Sequence, residues 1–353
     1  MRRVPLLLLL VLCGLEAYGQ EKGRVSFLAY ADYFYHLQRD SGLTNVALNG
    51  SEGFNGFQFR RIYLTFDYAV LEGFQSRFRL EADESALTSD GKIGVFVKDA
   101  YLSWKNAFGR NDLTFGIQPT PAFETSEAAW GFRSVEKTIM DLRGLAGSRD
   151  FGIALQGTMD PAGRFGYWLL IANGTGNRPE SDKLKRYYAR IIIQPIEDIT
   201  VTVYGDYNDR PDILSPYTGK GVSNSALTSA VFVGARPVER VRIGVEGVFQ
   251  TTLNEFDTGL ELTSRDRIGI SAFARWTASE KLEFLGRYDY FDPNGHSSST
   301  RDTRGYLIAG VAWSPAGNVR VIPNIQMETL ETTVLRSYVP SVTGRVTLVW
   351  NFP

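Results

Sequence analysis

The stretch FQFRRIYLTFDYAVLEGFQSRFRLEAD, residues 57–83, decides how the whole chain is read. Its first limb sets Ile62, Leu64, Phe66, Tyr68 and Val70 at every second position, with Arg61, Tyr63, Thr65 and Asp67 between them. After Glu72-Gly73 the second limb repeats the pattern, with Phe78, Leu80 and Ala82 opposing Arg77, Arg79, Glu81 and Asp83. A period of two marks strands, and a short polar break with glycine between two such runs marks a tight turn. The reading is an antiparallel hairpin with one oily face and one charged face.

Working outward, similar alternating segments recur along the chain. They span 24–37, 57–70, 75–83, 93–104, 112–118, 150–157, 165–173 and 185–194 in the first half. The second half adds 199–208, 228–236, 241–251, 267–277, 282–291, 304–313, 319–328 and 342–352, sixteen in all. The breaks alternate in length. Short ones carry turn residues, such as Asp160-Pro161-Ala162-Gly163 and those at 195–198 and 237–240; long ones fall at 38–56, 119–149, 209–227 and 252–266. Short turns at one end and long loops at the other are the pattern of a transmembrane β-barrel, whereas a soluble sandwich has no reason to alternate so regularly. No stretch has eighteen consecutive apolar residues to form a membrane helix, and the mean hydropathy is only -0.16. A wide barrel explains both, because only alternate wall residues meet lipid.

The expected fold is therefore all-β: a 16-stranded antiparallel transmembrane β-barrel with an inward-folded third external loop. A charge on the lipid face near the midplane costs roughly 2–4 kcal/mol, so the charged faces look inward onto water. Sixteen strands leave an aqueous channel, where about eight would leave a filled interior. Trp104, Trp276, Trp313 and Trp350 all close even-numbered segments, which places them at one membrane interface as an aromatic girdle. The composition agrees: 17 Tyr, 22 Phe and 35 Gly stand beside 4 Met and 1 Cys.

Residues 1–19 read as a secretory signal peptide, with Arg2 and Arg3 before the apolar run 4–12 and Ala17-Tyr18-Gly19 at the cleavage positions. Residues 20–353 are then the barrel. Its one cysteine, Cys13, lies in the leader, so no disulfide supports the mature chain.

The longest break, PTPAFETSEAAWGFRSVEKTIMDLRGLAGSR at 119–149, is the third external loop counted from the N-terminus. Connections of this length are usually functional, and here it is read as folding inward to narrow the pore. The residues expected to carry fixed charge at the constriction are Glu124, Arg133, Glu136, Lys137 and Arg143 from this loop. Arg77, Arg79 and Arg287 are expected from the wall opposite. The alternation also turns Arg61, Arg190, Arg242, Arg275, Arg320 and Arg345 inward, together with Asp67, Glu81, Asp99, Asp206, Glu246, Asp289 and Glu328. Opposite charges on neighbouring strands partly neutralise each other.

Several stretches occur in an order that resembles the phosphate-selective porin O and P family of Gram-negative bacteria. They are 59–83, VKDAYLSW (97–104), GIQPTPAFETSE (116–127), SRDFGIALQG (148–157), IANGTG (171–176) and RYDYFDPNG (287–295). VTLVWNF (346–352) is similar to the terminal signal by which outer-membrane proteins are inserted, although Pro353 follows the aromatic residue. The resemblance implies a sixteen-stranded porin, commonly trimeric, with a constricting third loop. It does not imply phosphate. Anion-preferring members carry lysines at the constriction, whereas this loop mixes Arg133, Lys137, Arg143 and Arg149 with Glu124, Glu127, Glu136 and Asp141.

Other chemistry finds little support. There are two histidines, His36 and His296, and no G-x-S-x-G nucleophile motif, so the reading is not an enzyme. No zinc or calcium spacing is present, no cofactor is implied, and a net charge of -1 excludes a nucleic-acid field. The basic run Asp182-Lys183-Leu184-Lys185-Arg186 could touch lipopolysaccharide phosphates at the external rim. The expected function is passive diffusion of small hydrophilic solutes and ions through the outer membrane, by a homotrimer. One alternative is a phosphate- or anion-selective channel with a binding step. The other is a secreted soluble β-rich binding module or adhesin.

Overall fold

Sixteen strands close on themselves in the computed structural model, which describes residues 23–40, 50–295, 302–331 and 337–352. The signal-peptide reading, Cys13 and His296 lie outside the described residues. The first eight strands are β1 (Gly23–Gln38), β2 (Asn55–Leu71), β3 (Phe74–Leu87), β4 (Ile93–Trp104), β5 (Asn111–Pro119), β6 (Arg149–Thr158), β7 (Phe165–Ala172) and β8 (Arg186–Ile196). Then follow β9 (Ile199–Asn208), β10 (Ala226–Val238), β11 (Val241–Asp257), β12 (Leu262–Ser279), β13 (Leu282–Asp292), β14 (Arg304–Ala316), β15 (Val319–Leu330) and β16 (Ser341–Phe352). Each pairs antiparallel with its sequence neighbour, and β1 closes the ring against β16 from Phe27↔Phe352 to Gln38↔Val342. Closure gives every strand a neighbour on both sides, which is what allows a sheet to sit in hydrocarbon.

Alternation survives in the burial of nearly every strand. In β10, Ala226, Thr228, Ala230, Phe232 and Gly234 are buried while Leu227, Ser229, Val231 and Val233 are exposed. In β16, Thr343, Arg345 and Thr347 are buried and Val346 and Leu348 exposed. The exposed face is thus the apolar one, reversed from a water-soluble protein. Trp104 stacks on Phe74 at 5.4 Å and Trp276 on Phe284 at 5.2 Å, while Trp350 meets Phe27 at 6.3 Å. All three pairs lie towards the short-turn end of the barrel.

Strand ends depart from expectation at the long-loop end. β3 runs to Leu87, β11 to Asp257, and β12 starts at Leu262. There the ladder is held by polar cross-strand pairs, Arg267 to Glu255 at 2.7 Å and Thr251 to Asp266 at 2.7 Å. Such pairs extend a strand without an apolar alternation to reveal it. A two-residue ribbon, Ile213–Leu214 with Gly221–Val222, also forms within the connection after β9.

Two β-bulges re-aim cations. In β2, Tyr30 pairs with Arg61 and Ala31 with Phe59, so Arg60 is the extra residue. In β4, Arg79 pairs with Asp99 and Leu80 with Val97, so Lys98 is extra. A bulge places two successive side chains on one face, and here Arg60 joins Arg61, and Lys98 joins Asp99, on the buried, charged face.

Candidate functional site

The connection 120–148 holds two short helices, α1 (Glu124–Trp130) and α2 (Ile139–Leu142). Glu124 and Glu127 occupy the first turn of α1, where carboxylates favour the helix dipole. The helix stops at Gly131, whose φ of 66° only glycine adopts without strain. A Cβ there would also stand 2.4 Å from Arg275 Nη1, so the same glycine admits a wall arginine against the loop backbone.

The apolar side chains of this connection are fixed against one arc of wall. Trp130, Phe132, Val135, Ile139 and Met140 have no exposed surface. Trp130, Phe132 and Val135 pack with Phe232, Phe273, Leu285, Tyr306, Ile308 and Ile322. Phe123, Ile139, Met140 and Leu145 pack with Trp168, Leu170, Tyr188, Tyr204, Val248 and Phe291. Together these wall residues come from β7 to β15. Full burial contributes about 1.5–3 kcal/mol for each large side chain, so the five make the segment a fixed element rather than a mobile flap.

Polar anchors complete the attachment. Arg60 donates to the carbonyls of Ser134 (3.0 Å) and Val135 and to Glu136 Oε1 (3.3 Å). Arg275 donates to Ala129 O at 3.0 Å, Gln250 to Leu145 O at 2.9 Å, and Gln326 to Val135 O at 3.3 Å. Ser126 donates to Glu246 Oε1 at 2.8 Å. Guanidiniums lie over loop and wall rings: Arg275 over Phe132 at 5.0 Å and Arg190 over Trp168 at 5.1 Å.

The expected constriction residues separate into two groups. Arg287, Glu136 and Arg143 are anchors. Arg287 is buried, donates to Lys137 O at 2.5 Å and pairs with Asp289 at 2.5 Å. Arg143 pairs with Glu328 at 2.7 Å. Burial raises the Glu136 carboxyl, but Arg60, Arg345 and the Lys137 N–H outweigh it and hold the group at about 2. Glu124, Arg133, Lys137 and Arg79 keep more open positions. Glu124 receives Arg190 at 2.8 Å, Arg133 bridges Glu127 and Asp141, and Lys137 lies 3.9 Å from Asp141. Burial pulls the Lys137 ammonium below its usual range. Arg77 stands apart from the loop, forked onto Asp67 at 2.6 and 3.0 Å.

Opposite the packed arc, two cavities of 340 and 420 Å³ share Arg24 and run along β1 to β4. Into the first turn Arg24, Arg79, Lys98, Arg133 and Arg149, with Glu127 as its one acid. Tyr30, Tyr63 and Thr65 complete that wall. Into the second, nearer the short turns, turn Arg24, Arg77 and Lys105 with Asp67. The counter-ions stand behind them. Asp99, fully buried, takes Arg79 at 3.3 Å and also Arg149; Glu81, fully buried, takes Arg61 at 2.6 Å and Lys98 at 2.8 Å. In the first cavity two buried carboxylates therefore fix Arg79, Arg149 and Lys98 from behind, whereas in the second Asp67 itself lines the space.

Sequence reasoning passed over Arg24, Arg60 and Lys98, and did not single out Arg149. A signal existed for two of them. Arg60-Arg61 and Lys98-Asp99 are adjacent charges inside oily strands, and strict alternation would put one of each pair into lipid at a cost of roughly 2–4 kcal/mol. A bulge is the inexpensive escape. Among the described residues no group of three or more His, Cys, Asp or Glu side chains has the geometry to hold a metal.

No family model matches this sequence, and no curated relative does. Solved structures do match in fold. The outer membrane channel DcaP of Acinetobacter baumannii superposes with a TM-score of 0.67 at 11% identity, over 94% of this chain and 97% of that one. An anion-selective porin from Comamonas acidovorans gives 0.66 at 10%, over 94% and 99%. Outer-membrane expressed OmpT of Vibrio cholerae gives 0.63 at 14%, over 96% and 100%. At such identities the likeness is one of fold: this chain has the architecture of Gram-negative outer-membrane porins, nearly end to end.

Proposed function

We propose that this chain is an outer-membrane porin through which small hydrophilic solutes diffuse passively, with a preference for small anions. In this reading the 120–148 connection folds into the barrel against β7 to β15, with Arg60 of β2 as a further anchor, and the open space along β1 to β4 is the water path. The observation that carries the anion preference is the cavity where Arg24, Arg79, Lys98, Arg133 and Arg149 face a single acid, Glu127. Counting inward charges along the sequence suggests cancellation. Depth changes that sum, since Asp99 and Glu81 are fully buried and the arginines are the surface a solute meets. Guanidinium forks suit carboxylates and phosphates and replace part of an oxyanion's hydration.

The ordered stretches that resemble the phosphate-selective porin O and P family support the porin part of this reading, though not its anion preference, and so does the apolar belt with its tryptophan row. Assembly as a homotrimer belongs to the proposal, as does the absence of bond chemistry: Arg79, Arg149, Lys98 and Arg133 are each tied to a carboxylate, an arrangement of fixed charge. One measurement tests the function. Purified protein in a planar bilayer under a KCl gradient should give stepwise conductance with a reversal potential displaced towards chloride. A reversal potential near zero would return the balanced, unselective porin; no channel steps from folded protein would overturn both.

A further inference from the structure

The charge of this path is set in part by a residue outside it. β5 pairs with β4 only from Ala100 to Trp104, because the chain leaves the wall at Pro119 to form the 120–148 connection. The upper half of β4 is thereby left with an open edge, and the Lys98 bulge sits at its lower limit. Open edges leave carbonyls that need donors. Here Asn177 supplies them: its Nδ2 donates to Val97 O at 2.8 Å and to Lys98 O at 2.8 Å.

Asn177 is itself aimed by a nest of main-chain N–H groups. It belongs to the connection between β7 and β8, in Asn173-Gly174-Thr175-Gly176-Asn177. Gly174 N donates to Asp150 Oδ2 at 2.9 Å, and Gly176 N to Asp150 Oδ1 at 3.3 Å. Both glycines have positive φ, 85° and 69°, which folds the turn tightly over that carboxylate. Thr175 Oγ1 closes it on Arg178 O at 3.1 Å. The turn thus reaches across the start of β6 and ends with an amide on the β4 bulge.

We propose that Asn177 is a positioning residue for pore selectivity. By capping Val97 and Lys98 it holds the bulge that turns Lys98 inward, where its ammonium reaches Glu81 at 2.8 Å and Ser148 at 3.3 Å and lines the cavity. Without the cap the strand can return to regular alternation, which removes one cation from the path. This inference rests on the anion-path reading above, and the experiment separates the two.

The measurement is the chloride-to-potassium permeability ratio of the parent, Lys98→Gln, Asn177→Leu and the double variant. Leucine keeps the size of asparagine and loses the donor without adding a charge. One unit charge at about 7 Å in water changes a monovalent ion's occupancy about threefold, in opposite directions for chloride and potassium, so Lys98→Gln should lower the ratio about sevenfold. Asn177→Leu should lower it in the same direction, and the double variant should match Lys98→Gln alone. A parent-like ratio in Asn177→Leu, with Lys98→Gln lowered, overturns the positioning role and leaves the anion path standing. A parent-like ratio in Lys98→Gln overturns the path reading and this inference with it. Where Asn177→Leu gives no folded channel, Lys98→Cys provides the second readout. Its modification by a charged thiosulfonate from the aqueous side should slow in the Asn177→Ala background, and an unchanged rate overturns the proposal.

Discussion

Arg60 shows how much one side chain can be asked to hold. It grips two loop carbonyls, pairs with Glu136 at 3.3 Å and lies 3.6 Å from Asp32, all from a bulge that keeps it out of lipid. Both acids are buried, and removing one partner of a buried ion pair costs about 3–5 kcal/mol. Arg60→Ala should therefore lower the temperature at which the folded barrel loses its compact gel mobility, well beyond an exposed control such as Lys92→Ala. An equal melting temperature for both variants would mean that the loop is held by its apolar contacts alone. Glu136 adds a pH dependence with a definite sign. Its carboxyl sits at about 2 in the folded chain against an ordinary 4.5, so the stabilisation it gives is whole above pH 4.5, shrinks as pH falls and is gone below pH 2. The difference in melting temperature between the parent and Glu136→Gln should be widest near neutrality and close as pH approaches 2. A difference that grows on acidification would reverse the assignment of that carboxylate as ionised.

At the scale of elements, the 120–148 connection is packed as a protein core is packed. Phe132 has no exposed surface and carries Arg275 at 5.0 Å and Arg320 at 5.7 Å on its ring. Replacing a buried phenylalanine by alanine costs about 3–5 kcal/mol and would loosen the segment proposed above to bound the water path. Phe132→Ala should raise single-channel conductance and add flicker; identical conductance would place the segment away from the path. The wall was legible because lipid enforces alternation: all sixteen strands, the turn–loop asymmetry and the tryptophan row follow from hydropathy at period two. The loop's existence was legible from its length, but its attachment was not. Which of Glu136, Arg143 and Arg287 would be buried as anchors, and which charges would meet water, depends on partners far away in sequence, such as Glu328 for Arg143. The two bulges escaped for a different reason. A one-residue insertion leaves the strand's composition unchanged and is betrayed only by adjacent charges, Arg60-Arg61 and Lys98-Asp99.

For the whole molecule the formal charge is only -1, yet like charges need not share the same depth. Aromatic clusters fill the arc from β7 to β15, while Arg24, Arg79 and Lys98 from β1 to β4, with Arg133 and Arg149, line the first cavity and Asp99 and Glu81 are recessed behind it. Under the function proposed above, such an arrangement would make an ion filter out of a nearly neutral protein, and the proposal predicts how that filter responds to salt. In that proposal Arg24, Arg79 and Arg149 act on a passing ion through water, where screening extends over about 10 Å at 0.1 M salt and only about 3 Å at 1 M. A solute that passes without touching the wall feels its charge more strongly at the lower concentration than at the higher one. The chloride-to-potassium permeability ratio should therefore fall steeply as the mean KCl concentration is raised from 0.1 M to 1 M at a constant gradient. Arg79→Gln combined with Arg149→Gln should flatten that dependence, because both guanidiniums depart while Asp99 remains. Phe132→Ala should instead widen the path and lower the ratio at every concentration. A parent ratio that does not change with salt would mean that anions are held by direct contact, and saturation of the current with rising phosphate would then be the decisive curve.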